Sequence, residues 1–132
     1  MTKRQKVYNK FGGKCAYTGT PLESDWQIDH MESKAINNYF AYKGVLDDKN
    51  VNRIENLMPT QKIINHYKRG FDLVLFRDYM KTFHLRLATL PKNPKVQKSI
   101  KHKEYLLRVA NYFGITETQP FSGVFYFETL KN

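Results

Sequence analysis

A chain of 132 residues is the length of one compact domain, and 41% hydrophobic content with nine Phe, nine Tyr and one Trp is enough to build a core. Its apolar stretches, such as Phe71 to Phe76, are broken by charge well short of the roughly 20 residues of a membrane span, and the start Met1-Thr2-Lys3-Arg4 has no apolar leader, so a cytoplasmic protein with no membrane partner is expected. Lys and Arg number 22 against 12 Asp and Glu, a net charge of +10 that makes a polyanion the first partner to consider, while the single Cys15 excludes an intrachain disulfide.

In chain order, Lys3 to Phe11 places Val7, Tyr8 and Phe11 at helical spacing and predicts a short basic helix stopped by Gly12-Gly13. Lys14 to Thr20 reads as a strand pair or knuckle punctuated by Gly19 and Pro21, and Trp26 to His30 as a strand. Met31 to Arg53 has no clean period and predicts a long loop with an aromatic turn around Tyr39, Phe40 and Tyr42, whose rings suit local packing, the commoner use of such a cluster, or contact with bases. Ile54 to Met58 predicts a short strand, followed by a helix from Gln61 to Arg69 with Thr60 as its N-cap. Leu73, Phe76, Met80, Phe83, Leu87 and Leu90 recur at steps of three and four and predict a helix from Phe71 to Leu90. The lysine-rich run from Lys92 to Lys103 leads into a third helix through Tyr105, Leu106, Val109 and Phe113, closed by Gly114, and Val124 to Glu128 reads as a terminal strand. The expectation is one α+β domain over 1–132, with a core at about 10–70 and a helical extension at about 71–132.

The residues able to carry chemistry are Asp29-His30 at a strand end, Asn56 at the end of the next strand, and Asn65 nine residues later on a helix. Phosphodiester hydrolysis needs a water stripped of a proton, which His30 can do near neutral pH. A hard divalent ion, Mg²⁺ or Mn²⁺, offsets the charge growing on phosphate and leaving oxygen; Asp29 offers it a carboxylate and Asn65 an amide oxygen, and water and substrate fill the other positions. Neighbours on a strand point to opposite faces, so Asp29 and His30 serve one phosphate only if the strand bends or ends there. Asn56 suits a geometric role, bonding the backbone across the loop and holding His30.

Five segments carry a wider likeness: Tyr8-Asn9-Lys10-Phe11, Cys15-Ala16-Tyr17-Thr18-Gly19, Ile28-Asp29-His30, Glu55-Asn56-Leu57-Met58-Pro59 and Asn65-His66-Tyr67-Lys68-Arg69. In this order they resemble the HNH (ββα-metal) endonuclease family, in particular its small phage and bacterial members, and Phe76-Arg77 and Phe125 to Glu128 extend the likeness over most of the chain. The resemblance implies a two-stranded antiparallel hairpin plus helix as the catalytic core. It further implies hydrolysis of DNA, double-stranded by expectation, to a 5′-phosphate and a 3′-hydroxyl. Asp29 and Asn65 would hold one catalytic ion, with His30 as general base and Asn56 as the supporting asparagine. His66, turned about 100° from Asn65 on the helix, is expected at a phosphate or in packing, with metal ligation the lesser option. Read from the residues themselves, Lys68 and Arg69 suit phosphate contacts or a solvated face, and Lys92, Lys95, Lys98, Lys101 and Lys103 make either a clamp on the DNA backbone, the preferred use, or a solvated linker. A monomer would nick and a homodimer could break the duplex. A non-catalytic nucleic-acid-binding module on the same scaffold is the alternative.

Relatives commonly carry two cysteine pairs for a structural zinc, whereas Thr18, Gln61 and Ile64 stand here where the partners of Cys15 would be. One cysteine cannot make a tetrahedral thiolate site, so no structural zinc is expected and the knuckle should be held by packing of Cys15, Tyr17, Ile63 and Ile64.

Overall fold

The computed structural model describes residues 1–32 and 52–130. Most of the expected long loop, with Tyr39, Phe40 and Tyr42, therefore lies outside the described residues. The fold is mixed α and β and forms two compact units, Met1–Phe76 with Phe125–Asn132, and Arg77–Val124. The expected core at 10–70 falls within the first unit; the expected extension is divided, with 71–76 and 125–132 counted in the first unit as well.

The first unit opens with helix α1 (Lys3–Asn9), whose start is closed reciprocally: the Thr2 hydroxyl accepts from the Gln5 backbone N–H, and the Gln5 side chain accepts from that of Thr2. Its one fully buried residue, Val7, packs with Trp26 and Leu57 against Leu22, Ile28 and Ile54. The knuckle follows, its backbone tied by Cys15 N to Thr20 O at 2.9 Å, Gly19 N to Cys15 O at 2.9 Å, and a bridge between Lys14 and Pro21. Strand β1 (Gln27–His30) pairs antiparallel with β2 (Leu57–Thr60) in the register Gln27 to Thr60 and His30 to Leu57.

A 3-10 turn, Ile54–Asn56, occupies the first half of the strand expected from 54 to 58, and β2 runs two residues beyond it. Thr60 is consequently the last strand residue and not a cap; its hydroxyl donates to the Met58 carbonyl, and helix α2 (Lys62–Lys68) starts after Gln61.

The terminal strand expected over Val124 to Glu128 is instead a 3-10 turn at Tyr126–Thr129. The Glu128 carboxylate turns back to accept from the Phe125 N–H at 2.8 Å, which curls the segment before it can extend. Tyr126 N and Phe127 N still bond to Tyr17 O and Ala16 O at 3.1 and 2.8 Å. Phe125 stacks on Phe76 at 5.2 Å, and both meet the Tyr17 ring edge-on. Gly19 lies under this turn at φ 73°, where a Cβ would stand 2.6 Å from the Tyr126 ring.

Helix α3 (Leu73–Lys81) contains the boundary between the units, and α4 (Phe83–Ala88) and α5 (Gln97–Phe113) belong to the second. The expected continuous helix from Phe71 to Leu90 is thus two helices broken at Thr82. The Thr82 hydroxyl back-bonds to the Tyr79 carbonyl, and the Arg86 guanidinium reaches the same carbonyl at 2.7 Å, replacing the ladder bond. Met80, Phe83, Leu87, Leu106, Val109, Ala110 and Ile115 bury in this unit, and Gly114 ends α5 in the left-handed conformation as expected.

Candidate active site

Side-chain alternation puts Gln27 and Asp29 on one face of β1, and Asn65 and Lys68 lie one turn apart on α2. The two rows meet. Asn65 Nδ2 donates to Gln27 Oε1 at 2.7 Å, and Lys68 Nζ approaches Asp29 Oδ2 at 3.1 Å and Oδ1 at 3.4 Å. Lys68 also donates to the His30 carbonyl at 3.0 Å, and the Tyr17 hydroxyl donates to Asp29 Oδ2 at 2.6 Å. Asp29 and Asn65 therefore share one strand–helix seam, with the carboxylate already engaged by an ammonium and a phenol.

This corrects the reading of Lys68 as a DNA contact. Its side chain is 1% exposed, and its charge faces inward onto Asp29 and the end of β1. Burial raises the Asp29 pKa above the ordinary carboxylate value, and the Lys68 charge and the Tyr17 bond pull against that rise. Burial, followed by the Asp29 charge, pushes the Tyr17 hydroxyl well up, so it remains a donor.

β1 ends at His30, which meets the condition that the strand stop there. The ring is partly exposed, and its Nε2 lies 2.9 Å from Asn52 Oδ1. With the amide oxygen as acceptor, Nε2 carries the proton and Nδ1 keeps a lone pair. Asn56 is fully buried, and its Oδ1 accepts from the Glu32 N–H at 2.8 Å while its Nδ2 donates to the Glu32 carbonyl at 3.2 Å. A further bond, Met31 N to Asn56 O at 2.9 Å, joins the same two segments. Asn56 thus pins the backbone just after His30, not the imidazole itself.

Lys10 was not singled out by its motif, yet its ammonium donates to the carbonyls of Ile54, Glu55 and Leu57 at 3.0, 3.1 and 3.0 Å. It holds the 3-10 turn that carries Asn56; partial burial lowers its pKa, with Glu55 opposing. Gln27, Asn52 and the polar role of Tyr17 carry no local signal, because each depends on a partner distant in sequence.

In the knuckle, Cys15, Tyr17, Ile63 and Ile64 are buried, but packing is only part of what holds it. Gln61 is fully buried: Oε1 accepts from the Glu23 N–H at 3.1 Å, and Nε2 donates to Thr20 Oγ1 at 3.0 Å and Pro21 O at 2.7 Å. One amide thus ties the residue after β2 to the segment from Thr20 to Glu23.

Of the other basic residues, His66 and Arg69 are exposed on α2 and just after it, and Lys92, Lys95, Lys98 and Lys101 are exposed in the second unit. Lys103 departs from the expected clamp: two of its N–H groups are taken by the carbonyls of Pro91 and Lys92 at 2.9 and 2.8 Å.

No group of three or more His, Cys, Asp or Glu converges among the described residues, which at this seam offer an ion one carboxylate, from Asp29, and one amide oxygen, from Asn65. Those donors are of the type a hard divalent cation takes, although both oxygens of Asp29 are already engaged by Lys68 and Tyr17. In the bond to Gln27 the Asn65 amide donates through Nδ2, which leaves Oδ1 as its acceptor, and hard cations of this kind keep most of their shell as water and phosphate oxygens. Among the described residues no helix is long and apolar enough to cross a membrane. No family model, no curated protein and no solved structure matches the chain.

Proposed function

We propose that this chain is a metal-dependent endonuclease of the HNH kind, hydrolysing DNA phosphodiester bonds. The observation that supports it best is that Asp29 and Asn65 line one strand–helix seam, bonded to Lys68 and Gln27 respectively, on a strand that ends at His30. A divalent ion held by the Asp29 carboxylate and Asn65 Oδ1 would supply positive charge to the phosphate and the leaving 3′ oxygen. His30 accepts the proton of the attacking water at Nδ1, its ring held by Asn52. Asn56 and Lys10 keep the backbone after β1 and before β2 in register, so the base does not swing away from its target. Tyr17 orients the carboxylate of Asp29, for which Lys68 competes with an ion.

The test is nicking of supercoiled plasmid with Mg²⁺ or Mn²⁺. His30→Ala is expected to lose at least about 100-fold in rate while DNA binding persists. Undiminished cleavage by that variant removes the mechanism. A nucleic-acid-binding module without catalysis is favoured by one feature, the Lys68 ammonium on the carboxylate that an ion would need. In that case the wild-type protein binds plasmid and leaves it intact with either metal.

A further inference from the structure

A cavity of about 460 Å³ opens on the first unit, lined by Thr2, Arg4, Gln5, Tyr8, Asn9 and Trp26. Its aromatic and cationic walls are fixed in place. The Arg4 guanidinium lies 3.8 Å over the Trp26 ring, and its Nη2 donates to the Trp26 carbonyl at 2.8 Å. The Tyr8 ring sits 5.7 Å from Trp26 at a tilt of 52° and is 40% exposed. Gly13 backs it so closely that a Cβ there would stand 2.9 Å from the Tyr8 hydroxyl. An exposed ring already immobilised on two sides loses little entropy when another ring stacks on it. Arg4 and Tyr8 share a face of α1 at i and i+4, and the helix carries Lys3, Arg4 and Lys6 with no acidic residue.

We propose that this cavity is a nucleotide pocket, in which a base of a nucleic-acid strand stacks on Tyr8 and its phosphate meets the remaining N–H groups of Arg4 in the field of Lys3 and Lys6. Stacking on an aromatic face with a cation for the backbone is the general chemistry of single-strand recognition. The placement relative to cleavage rests on the endonuclease reading. Trp26 precedes His30 by four residues along an extended segment, about 13 Å at ~3.3 Å per residue, or roughly four stacked nucleotides. The pocket therefore holds a nucleotide about four positions along the strand from the scissile phosphate, outside the chemistry itself.

Trp26 is the chain's one tryptophan, so its emission reports on the pocket directly. Short single-stranded oligothymidylate is titrated into the full chain in chelator, with anisotropy of a labelled oligomer followed in parallel. Saturable change in Trp26 emission is expected, with affinity at least about fivefold weaker in Tyr8→Ala and restored in Tyr8→Phe. Arg4→Gln should weaken binding and flatten its salt dependence. Binding by anisotropy without any change in emission overturns the proposal, as does wild-type affinity in both Tyr8→Ala and Arg4→Gln, or no binding at all. Plasmid nicking is scored separately: nicking with a silent pocket removes only the pocket, and a responsive pocket without nicking removes only the endonuclease.

Discussion

Arg69 combines an exposed, positively charged side chain with a backbone that few residues tolerate. At φ 57° and ψ −142° it lies in a region occupied almost only by glycine, at a cost of about 1–3 kcal/mol, while its N–H closes α2 on the Asn65 carbonyl at 3.1 Å. Under the proposed endonuclease function this exposed cation, one residue beyond the seam, would meet the DNA backbone. Arg69→Gly should raise stability by about 1 kcal/mol in urea denaturation and lower DNA affinity, reducing the salt slope by about 0.9. Lower stability together with unaltered affinity would contradict both halves. At this scale the sequence offers Asp29, His30, Asn56 and Asn65 as candidates through their chemistry and spacing. What Lys68 does was not readable, because a lysine on a short basic helix is ordinarily solvated, and only the proximity of β1 turns it inward.

Between elements, β1 and α2 are joined by two polar rungs, Gln27 with Asn65 and Asp29 with Lys68. Removing one member of a buried ion pair strands the other, so Lys68→Met should cost about 3 kcal/mol in chelator. Divalent metal should recover part of that loss, because the vacated carboxylate then takes the ion without competition. Thermal melts of the variant with and without Mn²⁺ measure both effects, and a variant as stable as wild type in chelator would rule out the ion pair as a structural rung. The knuckle makes a parallel case. Gln61→Ala leaves the Glu23 N–H, the Pro21 carbonyl and the Thr20 hydroxyl without their amide partner, at a cost of about 2–3 kcal/mol, whereas a knuckle held by apolar packing alone would lose less than about 1. Secondary structure at this scale was legible where periodicity acts alone, as in α1 and α5. It misled where a side chain competes with the backbone: Thr82 and Arg86 divide the expected long helix, and Glu128 curls the expected final strand.

For the whole molecule, the knuckle's amide clamp and the Tyr17, Phe76 and Phe125 cluster mean that the first unit has internal supports independent of any ion. Excess chelator is therefore expected to stop nicking while leaving the urea midpoint within error of the metal-replete protein; unfolding on chelation would point to a structural ion instead. Composition, charge, the α+β class and the ordered chemical residues follow from the chain read in one dimension, because hydrophobic periodicity and residue chemistry are local properties. Tertiary structure alone decides that Lys68 neutralises Asp29, that Lys10 clasps the turn bearing Asn56, and that Gln61 bridges the knuckle. Each joins groups 38 to 47 residues apart, and nothing local to either partner encodes a bond that exists only once the chain has folded them together.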